Sequence, residues 1–271
     1  MKPRDDAATT ASIAVDRAAK ANPEIDGLAV PEARPFTSLA TVYDDIMAEV
    51  EYEEWCEFIL REARARGYAD GPVHDLGCGT GNATMPMFRR GLEVSGSDAS
   101  EAMLAVARTK LPTVEFTNAR FAELDLGRRF ELVYSVFDAL NNLLTDEDFR
   151  AAAGNVRRHL LPGGIFVFDV NTDSGLRELW EGGKAEGWGD DVYYRWSHHY
   201  DEETGLAHVE AFCTTETGSF IERHSERGYD ALDLLRLLGS VGFSAIEVID
   251  FPDGDTAPND AARVWVVAKR D

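Results

Sequence analysis

Basic residues are scarce in this 271-residue chain. Lysine is confined to Lys2, Lys20, Lys110, Lys184 and Lys269, and 27 lysines and arginines face 49 aspartates and glutamates, a formal net charge of −22. A field of that sign repels phosphate backbones and anionic headgroups, which argues against DNA, RNA and anionic membranes as partners. The arginine groups Arg61/Arg64/Arg66, Arg89/Arg90, Arg128/Arg129 and Arg157/Arg158 are short and fit solvated helix ends or turns. Cysteine is equally sparse. Cys56, Cys78 and Cys213 stand far apart with no C-x-x-C pair, so neither a disulfide framework nor a metal site is expected. Apolar runs all fall short of the about 18 residues that would suggest a membrane span, and the N-terminus lacks the basic-then-apolar order of a signal peptide. A soluble cytoplasmic protein is expected.

What is present is ordinary globular material. Hydrophobic residues at 44% and charged residues at 28% suit one large α/β domain, or one domain carrying an insertion. Residues 1–36 are rich in Ala, Asp, Pro and Thr, with Pro23, Pro31 and Pro35 as interruptions, and read as a disordered leader in which Ser12 to Ala21 has short-helix character. From Leu39 the apolar residues Val42, Ile46, Val50, Trp55, Phe58 and Ile59 recur at helical spacing, predicting one or two amphipathic helices up to Arg66.

An alternating strand and helix order follows. Strands are expected at Val73–Leu76, Leu92–Ser97, Thr113–Thr117, Phe130–Val136 and Ile165–Val170, with helices between them. Ser100 and Thr145 sit at helix starts, and Pro162-Gly163-Gly164 closes the helix that reaches His159. Strands separated by helices in this way imply a parallel sheet with right-handed crossovers. The order breaks at Val192–Tyr200, Leu206–Thr214 and Ser219–Arg227, consecutive strands that predict an antiparallel meander. A leucine-rich helix over Asp230–Ser240 and strands at Ala245–Phe251 and Arg263–Ala268 complete the chain.

The chemistry concentrates at Asp75-Leu76-Gly77-Cys78-Gly79-Thr80-Gly81, a glycine turn between a strand and a helix. Glycines let the backbone approach a ligand where a Cβ would collide, and the helix start offers unpaired N–H groups. Asp98 lies 21 residues beyond Gly77 at the end of the next strand, the place of a carboxylate that accepts hydrogen bonds from ribose hydroxyls. A dinucleotide fingerprint requires glycine at the sixth position of the turn, where Asn82 stands instead. An acid at Asp75 opposes a pyrophosphate and suits a ligand carrying an ammonium or sulfonium; a purely structural ion pair is its other reading.

These residues resemble motif I of the class I S-adenosylmethionine-dependent methyltransferases, matched at each position. Gly96-Ser97-Asp98-Ala99-Ser100 with Met103-Leu104 is similar to the family's ribose-binding segment. Phe130 to Ser135 and Leu161-Pro162-Gly163-Gly164 also match in order. Where the family usually holds the adenine amino group with an acid, this chain has Asn118, whose amide oxygen still accepts a hydrogen bond. The resemblance implies a Rossmann-like methyltransferase fold, a mostly parallel seven-stranded sheet flanked by helices. It further implies an antiparallel β insertion after strand five and an N-terminal helical lid. The corresponding boundaries are 37–70 for the lid, 71–188 and 229–271 for the core, and 189–228 for the insertion, which is either a substrate cover or a homodimer contact. The implied cofactor is S-adenosyl-L-methionine, leaving as S-adenosyl-L-homocysteine. The implied cofactor residues are Tyr43, Trp55, Asp75, Gly77, Cys78, Gly79, Gly81, Asp98, Ala99, Met103, Asn118, Ala119 and Ser135. Tyr43 and Trp55 are also readable as core aromatics of an amphipathic helix, and Cys78 as a small residue tolerated by the turn.

The loop after strand four, Phe137-Asp138-Ala139-Leu140-Asn141-Asn142, should face the transferable methyl group. It is not the Asn/Asp-Pro-Pro-Tyr/Phe tetrapeptide of enzymes that methylate nucleobases or protein glutamine. The expected activity is N- or O-methylation of a small molecule by in-line displacement. A macromolecule methyltransferase and an NAD-binding oxidoreductase are the alternatives. Candidates for a general base, needed only for an acceptor protonated at neutral pH, are His198, His208, His224, Asp138 and Tyr229. The site accounts for only Asp75 and Asp98 among the acids, so the acidic excess reads as a solubility or high-salt adaptation of the surface.

Overall fold

A computed structural model describes residues 30–178 and 183–271. In chain order the strands are β1 (Glu32–Ala33), β2 (Val73–Leu76), β3 (Val94–Asp98), β4 (Glu115–Asn118), β5 (Phe130–Ser135) and β6 (Leu160–Asn171). They continue with β7 (Lys184–Trp188), β8 (Tyr193–Asp201), β9 (Leu206–Thr215), β10 (Gly218–Arg227), β11 (Phe243–Ile249) and β12 (Arg263–Arg270). The helices are α1 (Tyr43–Ile46), α2 (Tyr52–Ala65), α3 (Thr84–Arg89), α4 (Glu101–Lys110), α5 (Asp146–His159), α6 (Asp173–Glu178) and α7 (Ala231–Ser240).

Seven strands form the central sheet in the order β11-β12-β6-β5-β2-β3-β4. The run from β6 to β4 is parallel, and β12 is antiparallel to both of its neighbours. Its central strand, β2, is buried along its whole length, as expected for a parallel strand covered on both faces. Helices α2, α3 and α4 cover one face through Cys56, Ile59, Ala63, Met87, Leu104 and Ala107. Helices α5 and α7 cover the other through Phe149, Ala152, Val156, Leu234 and Leu238, which pack on Phe166 and Phe168. The helix ends are set by local chemistry: the Thr145 hydroxyl accepts the Asp148 N–H at 3.1 Å, and the Ser100 hydroxyl accepts that of Met103 at 3.2 Å. Because the chain leaves β2 in opposite directions to β3 and β5, a crevice opens at the carboxyl ends of these strands.

A second, five-stranded sheet has the order β1-β10-β9-β8-β7 and contains the expected meander. Three boundaries differ from the sequence reading. Residues 1–29, including the Ser12 to Ala21 stretch, lie outside the described residues, but the end of the expected leader is held: Glu32 and Ala33 pair with Ile221 and Glu222 of β10. The insertion begins at Lys184 rather than at residue 189, because β7 adds an edge strand to β8. Its residues Lys-Ala-Glu-Gly-Trp have weak strand preference and pair by position alone. Strand β6 begins at Leu160, ahead of the Pro-Gly-Gly segment, because Leu160 is fully buried opposite Phe130.

The expected lid also divides. Helix α2 packs into the core layer, with Cys56 and Ile59 inaccessible. The cover proper is the shorter stretch from Phe36 through α1. There Leu39, Val42, Tyr43 and Ile46 share a small apolar core with Tyr194, Trp196, Cys213 and Phe220 of the inserted sheet. Asp45 fastens the two further, accepting the backbone N–H groups of Asp190 at 2.8 Å and Asp191 at 3.1 Å.

Candidate active site

The glycine turn after β2 forms one wall of the crevice. Gly77, Gly79 and Gly81 all have positive φ, a conformation that side chains disfavour. At Gly79 the space that a Cβ would take is open, and its N–H donates to Asp98 Oδ2 at 2.9 Å. The other oxygen of Asp98 accepts the Ser100 N–H at 2.7 Å. These two donors orient the Asp98 carboxylate at the end of β3, although burial raises its pKa above the usual carboxylate range. Gly96 in β3 has a different reason: a Cβ there would lie 2.9 Å from Cys78 Sγ and from the Phe116 ring.

Asp75 lies behind the turn and is inaccessible. Its Oδ2 accepts from the Thr84 hydroxyl at 2.6 Å, while Oδ1 has no hydrogen-bond partner among the described residues. Burial pushes its pKa up to about 7. No described cation pairs with it, so the structural ion-pair reading has no support. Cys78 is buried between the glycines, and desolvation raises its thiol pKa well above the ordinary value, so it is no nucleophile. At β4, the Asn118 amide nitrogen donates to the carbonyls of Asp98 and Ala99 at 3.1 and 3.0 Å, which leaves its oxygen as the outward acceptor. Ala119 donates its N–H to the Asp98 carbonyl at 3.0 Å. Met103 is buried on α4, and the buried Ser135 spends its hydroxyl on the Leu76 carbonyl at 2.7 Å.

The cover closes this wall from above. Asp44 of α1 accepts from the Thr80 hydroxyl and from Lys110 Nζ, both at 2.6 Å, and the same ammonium donates to Asn82 Oδ1 at 2.6 Å. Tyr43 of α1 packs in the apolar core of the cover, and burial raises its hydroxyl pKa. Trp55 lies beside the loop after β5 and the Arg263 guanidinium. It stacks on Phe137 at 5.4 Å and meets Trp265 edge-on at 5.6 Å, so its ring belongs to the aromatic packing beneath the loop after β5.

That loop forms the opposite wall. Phe137 and Asp138 both take positive φ, +62° and +49°, a strained choice for non-glycine residues that concentrates at functional sites. Asp169, at the end of β6, holds the turn by accepting the Asp138 N–H at 3.1 Å. Arg263 bridges both acids, donating to Asp138 Oδ1 and Asp169 Oδ2 at 2.8 Å each and to Asn171 Oδ1 at 3.1 Å. Even beside Arg263, burial pushes Asp169 up to about 6.

The expected base candidates separate here. Tyr229 is buried in the α5–α7 core, with its hydroxyl on the Leu143 carbonyl, and so lies away from the crevice. His208 is exposed on the outer face of the inserted sheet and bonds Ser225 at 2.8 Å. Strand alternation turns both His208 and its cross-strand partner His199 outward, which removes His208 as a candidate. His198 and His224 lie on the inner face, opposite Val209 in the neighbouring strand. His224 contacts Glu226 at 3.0 Å and packs on Phe36, with ring centroids 5.2 Å apart.

Asp169, Glu226 and Arg263 were not among the expected site residues. Glu226 and Arg263 lie far along the chain from the motifs, and the one local sign was an acid at position 169 inside the apolar run Ile165 to Val170. Among the described residues no cluster of His, Cys, Asp and Glu has the arrangement of a metal site, and no helix is long and apolar enough to cross a membrane.

Comparison with known proteins agrees with this geometry. A family profile described as a methyltransferase domain matches residues 73–164, from β2 through the glycine turn, Asp98 and the strained loop. A protein of Geobacillus sp. (strain WCH70), named only as a methyltransferase, is 28% identical over 247 residues, 87% of this chain and 99% of that one. A dTDP-3-amino-3,4,6-trideoxy-alpha-D-glucopyranose N,N-dimethyltransferase of Streptomyces venezuelae is 34% identical over 106 residues, 39% of this chain and 45% of the relative. The fold is shared with an S-adenosylmethionine-dependent methyltransferase from Clostridium acetobutylicum ATCC 824, at a TM-score of 0.76 and 24% identity over 86% of this chain and 98% of that one. A sugar N-methyltransferase from Streptoalloteichus sp ATCC 53650 gives a TM-score of 0.71 at 22% identity, covering 90% of this chain and 95% of that one. Motif, topology and relatives agree: the chain carries an S-adenosylmethionine-dependent methyltransferase domain.

Proposed function

We propose that this enzyme methylates a nitrogen or oxygen atom of a small molecule by in-line displacement. The observation that carries the reading is the cover. The strand ends are overlain by Tyr43, Phe36 and the inner face of the inserted sheet, fastened to one another by a shared apolar core. A cover fastened in this way suits a small acceptor, and the acidic surface disfavours nucleic acid. The aminosugar methyltransferases among the relatives are in keeping with that size of substrate.

The wall around the glycine turn fits S-adenosylmethionine. The cradle at Gly79 is open, Asp98 is oriented by two N–H groups, and Asn118 presents an acceptor. When bound, S-adenosylmethionine supplies an electrophilic methyl group on a sulfonium that needs no protonation to leave. The chain's own work is then positioning. Asp98 and Asn118 fix the nucleoside end, Tyr43 and Asp44 close over it, and the strained loop at Phe137–Asp138 presents the acceptor. Holding two reactants in line is worth on the order of 7–11 kcal/mol of barrier.

The test is turnover. Purified enzyme with S-adenosylmethionine and a panel of amines, phenols and carboxylates should form S-adenosylhomocysteine and a product heavier by one methyl group, read by mass spectrometry. Methylation of protein or nucleic acid in preference to every small acceptor would overturn the reading.

A further inference from the structure

The crevice holds a second concentration of buried acid beyond the nucleotide wall. Asp138, Asp169 and Glu226 converge there from the loop after β5, the end of β6 and the end of β10, with Arg263 as the cation between them. Arg263 commits a donor from each of its nitrogens, Nη1, Nη2 and Nε donating to Asp169, Asp138 and Asn171. Glu226 is left with His224 alone, through Oε1. It is 6% exposed, and its Oε2 has no hydrogen-bond partner among the described residues. Asp169 Oδ1 is in the same position. Buried carboxylate oxygens without donors are costly, so the arrangement is short of donors and of positive charge.

We propose that the missing donor is the acceptor itself, an amine that enters as its ammonium ion, and that Glu226 receives its proton. This rests on the small-molecule reading above and narrows it. An ammonium brings three donors and one positive charge, whereas a hydroxyl brings one donor and no charge, and a carboxylate would be repelled. Of the two orphaned acids, Asp169 is pinned by Arg263 and by the Asp138 N–H. Glu226 sits on the inner face of the inserted sheet within reach of Asp138, the residue presented by the strained loop. Its burial raises its proton affinity, with the His224 contact acting the other way.

The step balances. One ammonium N–H bond breaks as the proton passes to Glu226 Oε2, and the electron pair left on nitrogen forms the new N–C bond. The C–S bond breaks with its pair staying on sulfur, giving the neutral thioether, and Glu226 returns its proton to water as product leaves. The titratable and charged groups facing Glu226 are His224 on its own strand, Asp138 from the loop after β5 and Arg263 from β12.

Sinefungin tests the cation site without knowledge of the acceptor, because a carbon replaces the sulfur of S-adenosylmethionine and carries an ammonium in place of the transferable methyl group. Calorimetry on the wild type should give sinefungin at least about tenfold tighter than S-adenosylhomocysteine, and Glu226→Gln should remove most of that preference while S-adenosylhomocysteine affinity stays within about threefold. Equal affinities in the wild type, which needs no variant to fold, or a preference unchanged in Glu226→Gln, would overturn the proposal. Failure of S-adenosylhomocysteine itself to bind would instead strike the methyltransferase reading. In the turnover panel, acceptance of phenols or carboxylates but not amines would remove the amine and leave methyl transfer standing.

Discussion

On the nucleotide side of the crevice the ligand-facing groups are mostly backbone and short side chains. They come from the ends of three neighbouring strands, and Asp98 is set by N–H groups of Gly79 and Ser100. On the acceptor side the groups are long charged side chains gathered from distant parts of the chain, with Arg263 reaching partners 94 and 125 residues away. The first wall depends on chain conformation and the second on charge balance. One is expected to tolerate changes of surrounding charge and to fail on added volume; the other, the reverse.

The largest expected effect lies on the acceptor side. Arg263→Met leaves Asp138 and Asp169 without their cation, and removing one partner of a buried pair costs about 3–5 kcal/mol of stability. The loss should depend on pH. The Asp169 pKa is about 6 in the fold, above its ordinary value, so the folded state gains stability relative to the unfolded one as pH falls through that range. Without Arg263 the pKa rises further, and thermal melts of the variant should therefore recover as pH falls from 8 to 5. A deficit that stays flat with pH would mean that the arginine works by packing on Trp55 and Phe137 instead.

On the other wall, Asp98→Ala should weaken S-adenosylmethionine binding by roughly 2–3 kcal/mol through lost charged hydrogen bonds. Unchanged affinity by calorimetry would remove Asp98 from the site. Gly96→Ala should cost about 1–3 kcal/mol of stability, because its Cβ would press on Cys78 and Phe116 in packed surroundings. A melt indistinguishable from wild type would show that the turn yields. The smallest effect is expected for Asp44→Asn, which weakens the half-exposed contact to Lys110 by under about 1 kcal/mol. A much larger fall in ligand affinity would mean that the cover, not the glycine turn, holds the nucleotide.

The same contrast decides what was legible in the sequence. Asp75, the three turn glycines and Asp98 form a local pattern, since strand, turn and helix fix their relation within a few residues. Strands β2 to β6 were likewise legible, because they alternate with helical segments and are bounded by turns. Glu226 and Arg263 were silent because each is an unremarkable charged residue in a strand until the sheets bring them together. Trp55 looked like part of the cover because its helix follows α1, yet α2 turns that face toward Phe137 and Trp265. Strand β7 was missed because an edge strand requires only a partner, and its residues Lys-Ala-Glu-Gly-Trp give no pattern of their own.

The fastenings of the cover bear on kinetic order. Its inner bonds run to Thr80, inside the glycine turn, and from the Ser100 hydroxyl to the Phe36 carbonyl at 2.5 Å, while Ser100 also donates its N–H to Asp98. The groups that read the nucleoside are thus the ones that seat the cover, and the cover forms one side of the acceptor chamber. Addition of the two substrates should be sequential, methyl donor first. S-adenosylhomocysteine should then compete with the donor at every acceptor concentration but remain noncompetitive toward the acceptor.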